Sequence, residues 1–165
     1  MLNLKKTQHL VYIGLLATMA IVINLVECYF IPPIHFGIRL GLANIIALIT
    51  VVMMGPKELI YFNILRVMLG GLLRGIIFGA SFWISLGGII LSSVVLILCR
   101  QRTSIYFMSI ISAIAHTTGQ VLVVSVIYSE IGIASLLPLL IIVSMISGWI
   151  TGFIAIECIK RVRVC

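Results

Sequence analysis

Long stretches without a single charge constrain this chain more than any other feature. Residues 7–26, 75–99, 103–129 and 131–156 each contain no Asp, Glu, Lys or Arg. A helix of about 20 apolar residues spans the hydrocarbon core of a bilayer, so each of these runs is long enough to cross. The surrounding composition agrees. Hydrophobic residues make up 62% of the 165 and charged residues only 9%, where a soluble domain carries about 25% charged residues. Mean hydropathy is +1.33. In lipid, backbone N–H and C=O groups must be satisfied internally, so the expected fold class is all-α.

Two further stretches complete the pattern. Residues 40–56 are free of charge and close to the shortest spanning length, and residues 59–73 are free of charge except for Arg66 and apolar on most faces. Counting both gives an integral membrane bundle of about six transmembrane helices, at roughly 9–29, 40–54, 59–74, 78–99, 104–128 and 135–159. Little chain remains for loops and none for a separate soluble domain, so residues 1–165 form a single transmembrane domain. Pro32 and Pro33 end the first helix, and Gly55-Pro56-Lys57-Glu58 is a tight turn. Lys5 and Lys6 precede a run long enough to span without a clear small-residue cleavage site, so the first helix is expected to be retained. An alternative with four spans, in which residues 31–74 form a re-entrant pair, has the same parity.

The charges sort by side. With six spans and the N-terminus inside, the inner ends carry Lys5, Lys6, Lys57, Arg100, Arg102, Lys160, Arg161 and Arg163, and the outer ends carry Arg39 and Arg74. The positive-inside rule therefore favours an N-in, C-in protein. The net charge of +7 follows topology and gives no nucleic-acid footprint.

Helical spacing gathers the polar residues onto faces. Asn63, Arg66, Gly70 and Arg74 share one stripe. Ser109, Ser112, His116 and Gln120 share another, with Gly119 beside it. Ala17, Ala20, Asn24 and Glu27 share a third, and Ser81, Ser85, Gly88 and Ser92 a fourth. Polar groups facing lipid would go unsatisfied, so these stripes should face each other or a cavity. Asn24, Glu27, Arg39, Asn44, Arg66, Arg74, His116 and Gln120 lie from mid-membrane outwards and describe a pocket open to the outside. Its cationic excess suits a small ligand with a carboxylate, phosphate or diphosphate, since arginine binds planar anions in bidentate fashion.

Structural roles stand beside these. Arg66 could clamp helices together, Glu27 and Arg39 could pair across the first outer loop, and Arg74 could snorkel to the interface. His116, Asn24 and Asn44 could simply bridge helices. Ser144, Gly148 and Gly152, spaced four apart, are expected to pack helices closely. Gly70, Gly71 and Gly75 could do the same or leave room for ligand.

The chemistry of an enzyme is missing. There is no aspartate, and of the four glutamates Glu58, Glu130 and Glu157 lie at helix ends or loops. No metal-ligand cluster, phosphate-binding loop or nucleophile elbow is present. Cys28, Cys99, Cys158 and Cys165 show no zinc spacing. No catalytic residue, metal or cofactor is expected, and binding or translocation remains.

Three motifs carry a family resemblance: Ile38-Arg39-Leu40-Gly41-Leu42-Ala43-Asn44-Ile45, Leu65-Arg66-Val67-Met68-Leu69-Gly70-Gly71-Leu72-Leu73, and Ala115-His116-Thr117-Thr118-Gly119-Gln120. With the six-span layout they resemble the Gx transporter family, also described as heptaprenyl diphosphate synthase component I. That family is similar to the substrate-capture (S) components of energy-coupling factor (ECF) transporters. The resemblance implies a multi-pass protein of the bacterial cytoplasmic membrane that captures a small anionic vitamin- or precursor-like molecule from outside. It also implies docking on a coupling subunit driven by two ATPases. The first helix departs from the AxxxA spacing of such components, its nearest match being Gly14-x-x-x-Thr18. The synthase description implies a different partner, a soluble prenyl diphosphate synthase. Such synthases hold magnesium diphosphate with aspartate-rich motifs, so this chain would be a non-catalytic membrane component of one.

Overall fold

An α-helix satisfies its own backbone, and six of them account for nearly all of the described residues. The computed structural model describes residues 2–30, 42–129 and 135–164. The helices are α1 (Leu2–Phe30), α2 (Asn44–Met53), α3 (Pro56–Leu73), α4 (Ala80–Cys99), α5 (Ile105–Tyr128) and α6 (Leu137–Val164). No strand occurs among the described residues. Five helices match the expected positions closely, with α1 and α6 extending into the basic termini.

Local signals explain the boundaries. Pro56 sits at the first position of α3, where its missing N–H costs nothing. Gly55 before it has φ 134°, a conformation that a side chain resists. Ser104 caps α5, its Oγ accepting from Phe107 N at 3.4 Å.

Four helices contain stretches long and apolar enough to cross a membrane: Leu10–Glu27, Ala80–Cys99, Ile105–Tyr128 and Leu137–Val162. Only 28%, 33%, 44% and 33% of these stretches is buried inside the protein. The remainder presents large apolar side chains outward, including Leu15, Val22, Ile90, Leu98, Val126, Ile146 and Phe153. In water so much apolar surface would drive aggregation; against lipid tails it is solvated. The protein is an all-helical membrane bundle.

The second helix departs most from expectation. A helix over 40–54 was expected, but Leu42 and Ala43 form a turn, Ile45 N donating to Leu42 O at 3.1 Å, and the helix starts at Asn44. Its ten residues rise about 15 Å, half of the roughly 30 Å hydrocarbon core, so α2 does not cross alone. Instead it is an interior element. Every residue from Asn44 to Val51 is buried, and α2 touches all five other helices. Around it lies the main core: Ile13 and Ala17 of α1, Leu59 and Phe62 of α3, Leu96 of α4, Met108 of α5 and Ile159 of α6.

The turn after α2 meets the turn after α4 at one end of the bundle. Pro56, Arg100 and Arg102 line one depression there. From that end α3 rises antiparallel to α2 and continues about two turns past the N-terminus of α2, from Arg66 to Leu73. A short α2 thus fills one half of the bundle axis and leaves polar side chains to line the other.

Candidate ligand-binding cavity

The i, i+4, i+8 spacing on α3 places Arg66, Gly70 and Arg74 along one wall of a cavity. His116 and Gln120 of α5 face them, Ile21 and Asn24 of α1 close one side, and Phe82, Ser85 and Ile89 of α4 the other. The cavity volume is about 30 Å³, room for about two waters. A drug-sized ligand needs about 300 Å³ or more. A small anionic group fits as the cavity stands, and the rest of a larger ligand lies outside it.

Arg66 is the centre of the site. It is only 6% exposed. Its hydrogen bonds to described residues both leave from Nη1 and both are long: 3.4 Å to Ala43 O and 3.4 Å to Asn44 Oδ1. A guanidinium carries five N–H donors in a planar fork, so most of this one's capacity is unspent on those partners. Its charge is opposed by Glu27 and acts in turn on His116.

Glu27 does not line the cavity. It is 3% exposed, and its Oε2 accepts from Leu42 N at 3.2 Å, in the turn that leads into α2. A carboxylate near a helix N-terminus also meets the positive end of the helix dipole. Asn44 likewise stands behind the cavity wall, supporting Arg66. The N-terminus of α2 is therefore held from both sides, by Glu27 of α1 and by Arg66 of α3.

The opposite wall depends on glycine. His116 is 3% exposed, and its Nε2 lies 3.2 Å from Gln120 Nε2, one turn later on α5. With the amide donating, Nε2 is the acceptor and the proton sits on Nδ1. Nδ1 is buried and faces Gly88 without a well-formed hydrogen bond to described residues. A Cβ at Gly88 would lie 2.8 Å from the His116 ring, so only glycine admits the imidazole there. At Gly70 a Cβ would meet only Ile21, at 3.9 Å, so that glycine preserves space in the cavity wall. Arg74 is half-buried at the end of α3, its Nε donating to Gly70 O at 3.0 Å.

Of the residues expected to bind ligand, Asn24, Arg66, Arg74, His116 and Gln120 are brought together around one cavity. Asn44 and Glu27 stand behind it, and Arg39 lies outside the described residues. Asn63, on the same expected stripe as Arg66, turns away and donates through Nδ2 to Ser93 Oγ at 2.8 Å. Phe82, Ile89, Val67 and Ile21 were not anticipated as lining residues; in sequence an apolar cavity wall looks the same as a lipid-facing position.

The residues expected to pack helices divide. Gly148 would place a Cβ 2.8 Å from Ile110 Cα, and Gly152 one 3.0 Å from Ser109 Cβ, so both sit in tight contact with α5. Ser144 Oγ lies 2.5 Å from Thr117 Oγ1. Gly71 contacts Phe82. Gly75 does not pack against a helix: a Cβ there would meet nothing within 4 Å, and φ +64° makes it the left-handed residue that ends α3.

Among the described residues no three His, Cys, Asp or Glu side chains come close enough together to hold a metal ion. The cavity can offer a cationic guanidinium pair, two amides and an imidazole, which suits binding an anion. The profile of one protein family, described as heptaprenyl diphosphate synthase component I, matches residues 16–158. No curated protein and no solved structure matches significantly.

Proposed function

The chain belongs to the heptaprenyl diphosphate synthase component I family, and on that premise we propose that it is a non-catalytic subunit of the cell membrane that binds a small anionic molecule in the Arg66 cavity. One observation carries this reading. Arg66 is buried on the cavity wall with most of its donors unused by described residues, and a second arginine stands two turns along the same face. A buried intramembrane charge is costly and is retained where it serves a site or a structural clamp. The two long bonds to α2 are a weak clamp, and they leave the fork open to a bidentate anion.

The finer reading is an S-component-like role. In that reading the bundle has an N-in, C-in arrangement with the cavity on the outer side. Arg66 and Arg74 hold the anion, with Arg39 added, while Asn24, His116 and Gln120 orient the rest. The protein then hands its ligand to a coupling subunit driven by two ATPases.

Removing the fork tests the binding. Arg66→Met should abolish binding of inorganic diphosphate to the purified protein while its melting temperature shifts little. Arg66→Lys should restore part of it. Unchanged affinity in Arg66→Met would remove Arg66 from the site.

A second reading is favoured by the family's own description: a membrane component associated with a soluble prenyl diphosphate synthase. With no aspartate in the chain, catalysis would rest with the partner. Mild-detergent co-purification from native membranes separates the two. Recovery of a coupling subunit and ATPases supports capture for transport, and recovery of a soluble synthase without ATPases supports the scaffold.

A further inference from the structure

Val67 and Ile89 each contribute to two spaces. On one side they close the polar cavity. On the other they line a groove of about 300 Å³ between α3 and α4, on the outer surface of the bundle. Val67 is 8% exposed and Ile89 6%, so the two form a thin shared wall. The groove beyond is hydrocarbon in character, with Ile64 and Met68 from α3 and Leu86 and Ile90 from α4. Its two polar groups, Asn63 and Ser93, bond to each other. It runs along α3 from Ile60 to Met68, about 12 Å at the helical rise.

The seam is also the looser one. α3 and α4 touch far less than α4 and α5, although both pairs are neighbours in sequence. The link between α3 and α4 holds two left-handed residues, Gly75 at φ +64° and Phe78 at φ +60°. Phe78 rests on Phe82 of the cavity wall, ring centroids 5.6 Å apart.

We infer, resting on the anion-binding reading above, that the α3–α4 groove seats the apolar chain of an amphiphilic ligand whose phosphate or diphosphate head occupies the Arg66 cavity. The cavity, at about 30 Å³, encloses little beyond an anionic head, so the apolar part of a larger ligand lies outside it. Extension past Val67 and Ile89 is the route on which an apolar chain stays in hydrocarbon throughout. A chain already in the bilayer gains no hydrophobic free energy in the groove, because lipid tails are as apolar as leucine. The groove acts instead by sparing the chain a passage through the polar cavity while the head meets arginine. The ligand then enters sideways, from the membrane.

The test uses the full chain in phosphatidylcholine nanodiscs, with binding to empty discs subtracted. Farnesyl diphosphate, lysophosphatidic acid and inorganic diphosphate serve as probes. The groove is filled with Met68→Trp and, separately, Ile90→Trp; both positions are about half exposed, at 46% and 53%, so a larger ring meets lipid rather than core. Val126→Trp, 79% exposed on α5, is the control. The wild type and the control should bind at least one amphiphile ten-fold or more tighter than inorganic diphosphate. Each groove variant should lose that advantage while keeping its affinity for inorganic diphosphate. A preference for farnesyl diphosphate identifies an isoprenoid chain, and a preference for lysophosphatidic acid an acyl chain. Amphiphile affinity untouched in both groove variants, or no amphiphile preference in the wild type, overturns the groove and leaves the anion cavity standing. Binding of none of the three overturns the cavity reading and the groove with it.

Discussion

Between α4, α5 and α6 backbone meets backbone, whereas between α1, α2 and α3 side chains reach across to hold an interior helix end. In the first region a Cβ on Gly119 would sit 2.5 Å from Gly87 O, and one on Gly148 would sit 2.8 Å from Ile110 Cα. Hydroxyls close the remaining gaps: Ser109 Oγ donates to Gly148 O at 2.7 Å and lies 2.8 Å from Thr151 Oγ1. In the second region apolar side chains of the main core pack around α2, and the polar ties to its N-terminus are the long reach of Arg66 and the single carboxylate of Glu27. Small residues let helices approach closely and gain dispersion energy, the main source of helix association in lipid. Long charged side chains hold helices apart and leave space. One half of the molecule is built for rigidity and the other for occupancy.

The contrast is sharpest for the same substitution made on each side. Gly119→Ala should destabilise by about 3 kcal/mol, the upper part of the overpacking range, because the atoms it meets are backbone and cannot turn aside. Thermal unfolding in detergent measures it, and a change below about 1 kcal/mol would show that the α4–α5 seam yields. Next in size, Arg66→Met should weaken anion binding by about 2–3 kcal/mol, roughly 30- to 150-fold and so to below detection for inorganic diphosphate, the worth of lost charge-assisted hydrogen bonds. Titration with inorganic diphosphate reads this, and the same loss in Gly119→Ala protein that remains folded would erase the division between the regions.

Smaller effects follow. Ser109→Ala should cost about 1 kcal/mol of stability by removing hydroxyl contacts to α6, with anion affinity unchanged. Gly70→Ala should leave stability within about 0.5 kcal/mol of wild type, since alanine's better helix propensity offsets a mild contact with Ile21. It should nevertheless lower anion affinity, because its methyl group enters the cavity wall. A marked drop in melting temperature for Gly70→Ala would mean that the α1–α3 contact is as tight as the glycine seams.

Much of this was legible in the chain. Charge-free runs located α1, α4, α5 and α6, because length and hydropathy are what a bilayer demands of a span. The stripes on α3 and α5 brought Arg66, Arg74, His116 and Gln120 to one place, because 3.6-residue periodicity turns spacing into direction. Hydropathy placed a helix over 40–54 but could not show that α2 is an interior element, since a helix wrapped by protein and one wrapped by lipid are equally apolar. The direction of Asn63 was hidden for a related reason: its partner Ser93 lies on another helix, and spacing on α3 says nothing of what stands opposite. Spacing could not show that Glu27 meets a backbone N–H in the turn before α2, and its expected pairing with Arg39 lies outside the described residues. Gly87, which meets Gly119, stood outside the stripe that contained Gly88.

The burial of α2 has a consequence for biosynthesis. A nascent chain leaving the ribosome presents α2 early, but a segment of half a membrane's thickness is a poor candidate for release into lipid on its own. Its polar N-terminal turn needs Glu27, already made, and Arg66, made soon after. Its flank, however, is covered by α6, which emerges last of the six described helices. The centre of this protein therefore cannot be finished until α6 has been translated, and chains halted before α6 should be the ones that membrane quality control removes.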